Sequence, residues 1–298
     1  MLRIGIDIGG TNIKLAVVEI KDSPEIIVKD IFPFENAPCG LLCSRIYEHS
    51  VSMLNSCGYA LSDIDLVGLT VPGNVDQSEE ILLHAYNMGY HNVPMKAELS
   101  KYFENIPIRM LNDANAAALA EYHAGALKSC DTSLLLTLGT GLGFGLIIDG
   151  KLFNGGQNRG SEGGHLPFRN GDRPCTCGLT GCMECYTSVN RIIRQAKEKI
   201  GPHIENAKMV IDLAEAGDRD AMGIMDEYID DLSTIIAGLC NAFDPQRIAV
   251  GGGISAAGDI LFSKLSGLVE QKNYFRAHYD IVPAQFLNDA GVIGAVLV

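Results

Sequence analysis

Two stretches of this chain carry one pattern. Leu2 to Ile8 is an apolar, β-branched run that ends at Gly9-Gly10-Thr11, and strand-forming residues resume over Ile13 to Ile20. This predicts a hairpin closed by a glycine turn. Ser133 to Leu138, then Gly139-Thr140-Gly141-Leu142-Gly143, then Phe144 to Ile148 repeat the unit. A unit that recurs near the start of each half predicts two lobes of related architecture facing one another across a central ligand cleft. With 298 residues, each lobe has enough chain for its own core.

Apolar patterning supplies the remaining elements. Strands are expected near Ile26 to Ile31 and over Ile64 to Thr70, Ile108 to Leu111 and Arg247 to Val250. Helices are expected over Gly40 to Ser56, Met95 to Phe103, Ala114 to Leu127 and Ala257 to Glu270. Val189 to Phe243 reads as mainly helical with breaks at Gly201-Pro202 and Gly217-Asp218, and Asp289 to Val298 as a closing helix. Strands alternating with helices give an α/β class.

Three glycine-rich turns follow apolar strands: Gly9-Gly10-Thr11, Gly139-Thr140-Gly141 and Gly251-Gly252-Gly253. Glycine lets backbone amides approach a polyanion and threonine adds a hydroxyl donor, so such turns can cradle phosphates. One alone would be an ordinary hairpin turn; three together point to a nucleotide. No GxxxxGK[ST] loop occurs, and the glycines after Leu138 fall in a hairpin, not at the strand-to-helix turn of a dinucleotide fold. Asp7 lies inside the first strand, where an acid is costly to bury unpartnered, so Mg²⁺ carried by nucleotide phosphates is its expected partner. Asn112 and Asp113 end a strand and open an alanine-rich helix. They suit a helix cap, and Asp113 also suits a general base that takes the proton of an attacking hydroxyl. The two readings are compatible.

Residues Glu162 to Glu184 read EGGHLPFRNGDRPCTCGLTGCME. His165, Cys175, Cys177 and Cys182 form one imidazole and three thiols whose close spacing suits a tetrahedral zinc ion, a closed site that is structural and not catalytic. Glu162 and Glu184 flank the ligands as two acids able to grip a polar ligand. Cys185 is an alternative ligand through its spacing from Cys182. The nine cysteines make no disulfide framework, so those outside the cluster read as buried or free thiols of a reducing cytosol. With 23 basic and 36 acidic residues, a net charge of −13 and no run of Lys or Arg, a nucleic-acid partner is not expected. Neither a signal peptide nor a membrane span is visible, so a cytoplasmic location is expected.

Seven motifs in order make the chain resemble the ROK family of sugar kinases and repressors, part of the actin-like sugar kinase superfamily with its ribonuclease H-like fold. They are DIGGTNIK from Asp7, PGNVD from Pro72, NDANAAALAE from Asn112, LGTGLGFGLI from Leu138, the cysteine stretch, DPQRIAVGGG from Asp244 and NDAGVIGA from Asn288. The resemblance implies a lobe of residues 1–112 joined by a helix over 289–298, and a second lobe of 113–288 holding the zinc loop 162–184. It makes Asp113 the base, and Asn112, Glu162, His165 and Glu184 sugar ligands, with Gly73 and Asn87 further substrate-side positions. His165 would use one ring nitrogen for zinc and the other for the sugar. Asp7, Gly9, Gly10, Thr11 and Asn12, then Gly139, Thr140, Gly141, Leu142 and Gly143, then Gly252 and Gly253 would line ATP.

Departures from the family pattern are Ser161 in place of glycine, Gly163 in place of a larger aliphatic residue, and Phe144 in place of glycine. Ser161 and Gly163 imply a looser sugar loop, and Phe144, in the second phosphate hairpin, with Gly164 to Phe168 is similar to allose kinases of the family. The resemblance thus implies an ATP-dependent, Mg²⁺-requiring hexose kinase acting on a primary hydroxyl, O6, of allose or glucose, and assembled as a homodimer. Fructose, mannose and N-acetylmannosamine kinases share the motifs. So do sugar-responsive repressors, although these carry a helix-turn-helix ahead of the DIGGT motif, which is not expected here with Asp7 the seventh residue.

Overall fold

The computed structural model describes residues 1–85, 88–157, 161–171 and 173–298. The chain forms two compact units: Met1–Lys128 with Leu152–Ser161 and Asn288–Val298, and Ser129–Lys151 with Glu162–Leu287.

In the first unit, β1 (Leu2–Ile8) and β2 (Asn12–Ile20) pair antiparallel with Ile8 opposite Ile13, so the predicted hairpin forms around residues 9–12. β3 (Pro24–Pro33) joins β2 antiparallel; β4 (Ile64–Val71) and β8 (Ile108–Asn112) extend the sheet in parallel, in the order β3-β2-β1-β4-β8. Strands β1 and β4 are buried along most of their length, as parallel pairing with covered faces requires. α1 (Cys39–Ser56) turns Leu42, Ile46, Met53 and Leu54 into the core that the sheet residues Ile4, Ile6 and Leu69 share. α3 (Asp113–Ala124) packs against the C-terminal α9 (Ala290–Gly294). The C-terminal segment approaches β1, β4 and α3 closely: a Cβ on Gly5 would collide with Val292 O, one on Gly68 with Ala295 O, and one on Gly294 with Ala116 O. The compact unit therefore continues through α3 to Lys128, whereas a boundary after residue 112 would have separated α3 from the helix it packs on.

Between β4 and β8 lies a three-stranded sheet that the sequence pattern does not announce. It comprises β5 (Asn74–Val75), β6 (Leu82–Ala85) and β7 (Tyr90–Val93), followed by α2 (Met95–Ser100). Strands of two to four residues are too short to show alternation.

The second unit repeats the topology. β9 (Ser133–Leu138) and β10 (Leu142–Ile148) form the antiparallel hairpin, and β11 (Lys151–Leu152), β12 (Arg247–Gly251) and β13 (Asp280–Pro283) complete the order β11-β10-β9-β12-β13. β9, β12 and β13 run parallel. The recurring glycine hairpin thus marks two sheets with equivalent strand order. α4 (Glu184–Thr187), α5 (Val189–Lys199), α6 (Ala207–Glu215) and the 25-residue α7 (Arg219–Phe243) surround the core of Leu134, Leu136, Tyr228, Leu232 and Ile236. α8 (Asp259–Lys272) begins two residues later than expected, because 253–257 form a 3₁₀ turn. The closing helix is shorter than the run from 289 to 298, since only Ala290–Gly294 hold α geometry. No helix among the described residues is long and apolar enough to cross a membrane.

Candidate active site

In the first unit, β8 delivers Asn112 and Asp113 to the start of α3. Asn112 is the N-cap: its Oδ1 accepts from Ala114 N at 2.9 Å and Asn115 N at 3.1 Å, while its Nδ2 donates to Gly73 O at 3.2 Å. A cap of this kind contributes about 1 kcal/mol to its helix. Gly73 has φ 141° and a Cβ there would collide with His84 O, so only glycine fits, and its carbonyl fixes the Asn112 amide. Asp113 is the first residue of α3, half-buried, and its Oδ1 accepts from Ala114 N at 2.8 Å. Capping thus orients the pair that sequence reading named together. Asn87 lies outside the described residues.

Asp7 is not an acid in need of a partner. Its Oδ2 pairs with Lys14 Nζ at 3.1 Å across the β1–β2 ladder, and its Oδ1 accepts from Thr70 Oγ1 at 2.9 Å. Lys14 also donates to Asn288 O at 3.0 Å. Burial alone therefore gives no reason for a cation at Asp7. Lys14 is the partner of Asp7 that sequence reading missed; its place opposite Asp7 in the hairpin was the available signal. In the turn itself Gly9 N donates to Asn12 O at 2.9 Å, leaving Gly10, Thr11 and Asn12 exposed.

In the second unit, the loop from Glu162 to Glu184 is organised around four ligand atoms. One each from His165, Cys175, Cys177 and Cys182, they all lie within 4.8 Å of one another. Cys177 Sγ and Cys182 Sγ are 3.8 Å apart, and Cys175 Sγ is 3.6 Å from His165 Nδ1. Around a tetrahedral zinc with Zn–S of about 2.3 Å and Zn–N of about 2.05 Å, the S···S and S···N edges are about 3.8 and 3.6 Å. The donor set and its dimensions fit zinc. Cys185 is not in the group; its Sγ points to Pro174 O at 3.6 Å. Gly181 N bonds Arg173 O, and Phe168 N and Met183 N bond Gly181 O and Leu166 O, so a short ladder holds the loop. Arg169 anchors it to α7 through the buried Asp231.

The two acids differ. Burial pushes the Glu162 carboxyl above the ordinary glutamate range; His165 opposes the shift and Glu184 adds to it. Glu184 Oε2 accepts from Leu142 N at 3.1 Å, and a Cβ on Gly141 would collide with that oxygen. Glu184 Oε1 lies 3.6 Å from Cys175 Sγ. The carboxylate thereby links the cysteine loop to the second glycine turn. In that turn Gly139 N donates to Gly141 O, and the carbonyls of Gly139 and Thr140 accept from Val189 N and Asn190 Nδ2 at the start of α5. The Gly139 and Leu142 amides are thus bonded within the turn and to Glu184. The third turn is set by Gly252, φ 84°, where a Cβ would strike Leu138 O; a Cβ on Gly253 would meet open space.

The chain beside Gly163 is not left with a gap. The Phe144 ring fills the space beside it, with Phe144 Cγ 2.6 Å from where a Gly163 Cβ would stand.

A model of the ROK family matches residues 3–298. The chain belongs to the ROK family. It is 33% identical to a glucokinase of Halalkalibacterium halodurans over 98% of this chain and 92% of that one. The structure of a ROK glucokinase from Streptomyces griseus in complex with glucose and AMPPNP matches with TM-score 0.84 and 28% identity, covering 99% of this chain and 98% of that one. A xylose repressor of Bacillus subtilis is 25% identical over 98% of this ROK chain, which spans 75% of the repressor. The α/β fold is that of the actin-like ROK glucokinases.

Proposed function

We propose that this ROK protein is an ATP-dependent hexose kinase that transfers the γ-phosphate to a primary hydroxyl, O6, with Asp113 as general base. The observation that carries the reading is the fixed Asn112–Asp113 pair. Asn112 is held by the α3 amides and Gly73, and the Asp113 carboxylate is set beside it at the helix start. A carboxylate so placed takes the proton of the accepting hydroxyl as its oxygen attacks phosphorus. The S. griseus relative was captured with glucose and AMPPNP, which supports glucose and ATP as substrates here. Allose is the second candidate, on Phe144 and the Gly164 to Phe168 segment.

Glu162, His165 and Glu184 are assigned to sugar hydroxyls. His165 Nδ1 faces Cys175, which leaves Nε2 for a hydroxyl. A bound zinc ion would supply rigidity and not chemistry, because four protein ligands leave no open position. Mg²⁺ is expected to enter on the ATP phosphates.

The test is ADP release from Mg-ATP by zinc-loaded protein over glucose, allose, fructose, mannose and N-acetylmannosamine, with Asp113→Asn measured beside it. The variant should keep its melting temperature and sugar binding while kcat falls about 10²–10⁴-fold. Near-normal kcat would remove Asp113 as the base. Similarity to the xylose repressor favours one other reading, a sugar-responsive regulator; sugar binding by calorimetry with no turnover on any sugar would establish it.

A further inference from the structure

Far along the chain from the cysteine loop, the first turn of α1 and the first residue of α2 bring three sulfur atoms together. Cys39 and Cys43 stand four residues apart on α1 with their Sγ atoms 3.9 Å apart. Met95 Sδ, at the start of α2, lies 3.5 Å from Cys39 Sγ and 4.0 Å from Cys43 Sγ. Cys43 and Met95 are fully buried, and Cys39 is partly exposed. With metal–sulfur bonds of about 2.3 Å, three sulfurs spaced 120° around one ion stand about 4.0 Å apart. Two edges of the observed triangle, 3.9 and 4.0 Å, match this spacing and the third, 3.5 Å, is shorter by about half an ångström; Cys39 is its way in.

We propose that Cys39, Cys43 and Met95 form a binding site for one soft monovalent cation of the Cu(I) class. The donor set selects it: two thiols and a thioether, with no imidazole or carboxylate in the triangle, suit a soft ion and leave zinc without the four donors it prefers. The thiols are poorly placed for the competing chemistry, a disulfide. Residues four apart on a helix keep their Cβ atoms about 5–6 Å apart, whereas a disulfide needs about 3.8 Å. Cys39 opens α1, whose N-cap Pro38 offers no side-chain acceptor to the first-turn amides. Binding releases the thiol protons and ties α1 to α2 through the metal.

Zinc-loaded protein is titrated anaerobically with Cu(I) presented by bicinchoninate, and copper and zinc are counted on the recovered protein. Wild type should take up one Cu(I) per chain with its zinc content unchanged. Cys39→Ser/Cys43→Ser should lose that copper, and Met95→Leu should bind it about tenfold or more weakly. Cys39→Ser alone, at the partly exposed position, reports the same loss if the double variant fails to fold. X-ray absorption of the loaded protein should show three sulfur neighbours. Equal copper uptake by wild type and Cys39→Ser, or uptake matched by zinc release, would overturn the site and assign the copper to the Cys175–Cys182 cluster. Unchanged affinity in Met95→Leu would overturn the thioether ligand.

Discussion

The Phe144 ring occupies the space that a side chain on Gly163 would need, with Phe144 Cγ 2.6 Å from the position of a Gly163 Cβ. The resemblance to the ROK family implied a glycine at 144 and a larger aliphatic residue at 163; here the ring stands at one position and no side chain at the other, and Phe144 is 6% exposed within the core of its unit. Gly163 adjoins Glu162, a proposed sugar ligand.

Gly163→Val should therefore destabilise the protein by about 1–3 kcal/mol through overpacking, and Phe144→Gly by about 3–5 kcal/mol through the cavity it opens. The double variant, which restores the family arrangement, should lose clearly less than the sum, with a coupling of about 1 kcal/mol or more. Urea unfolding of the four proteins measures the cycle. Additive losses would show that the two positions do not compensate.

Cys177→Ala removes one corner of the tetrahedron and should lower zinc content and sugar affinity together, since His165 then loses its fixed orientation. Cys185→Ala should retain full zinc, because its Sγ points to Pro174 O. Metal analysis of the two variants decides. Zinc lost from Cys185→Ala, with full zinc in Cys177→Ala, would reassign the ligand set.

The parts of this molecule legible in the sequence are those whose signal is local. Apolar strands ending in glycine turns gave both hairpins, and the topology of the two sheets follows from them. His165 and the three cysteines are close enough in sequence for their spacing to show a common centre. Asp7 was legible as a strand acid, but its partners come from neighbouring strands: Lys14 by hairpin register and Thr70 by parallel pairing. The grip of Glu184 on Leu142 spans 42 residues and leaves no local trace. Gly163 read alone suggested a gap, because the residue that fills it stands nineteen positions earlier on β10.

Asp231 holds the cysteine loop to α7. Its side chain is 2% exposed and accepts from Arg169 and, at 3.2 Å, from Arg191 Nη2; Arg191 is fully buried and donates also to Glu227 Oε1 at 2.7 Å. Arg169 lies over the Phe168 and Tyr186 rings at 5.2 and 5.1 Å. Asp231→Ala leaves the Arg191 charge buried with one carboxylate and should cost about 3–5 kcal/mol. Arg169→Ala, at a half-exposed side chain, should cost less but speed zinc release to a chelator. Unchanged release kinetics in Arg169→Ala would show that the loop does not depend on this anchor.

Asp76 shapes the turn between β5 and β6, accepting at Oδ1 from Glu80 N and Ile81 N at 2.7 Å each and at Oδ2 from Ser78. Desolvation works against the carboxylate, but the bonds from Ile81, Ser78 and Glu80 outweigh it and hold its pKa below the ordinary 3.8. A depressed folded-state pKa means that this stabilisation is present in full above 3.8 and disappears as pH falls through the lower folded value. Asp76→Asn should therefore melt below wild type at pH 7, and the gap should narrow as pH drops below that range. Asp76→Ala, which removes all the acceptors, should lose about 1–2 kcal/mol at pH 7. A gap between wild type and Asp76→Asn that stays constant from pH 7 to pH 3 would show that the charge on Asp76 does not stabilise the turn.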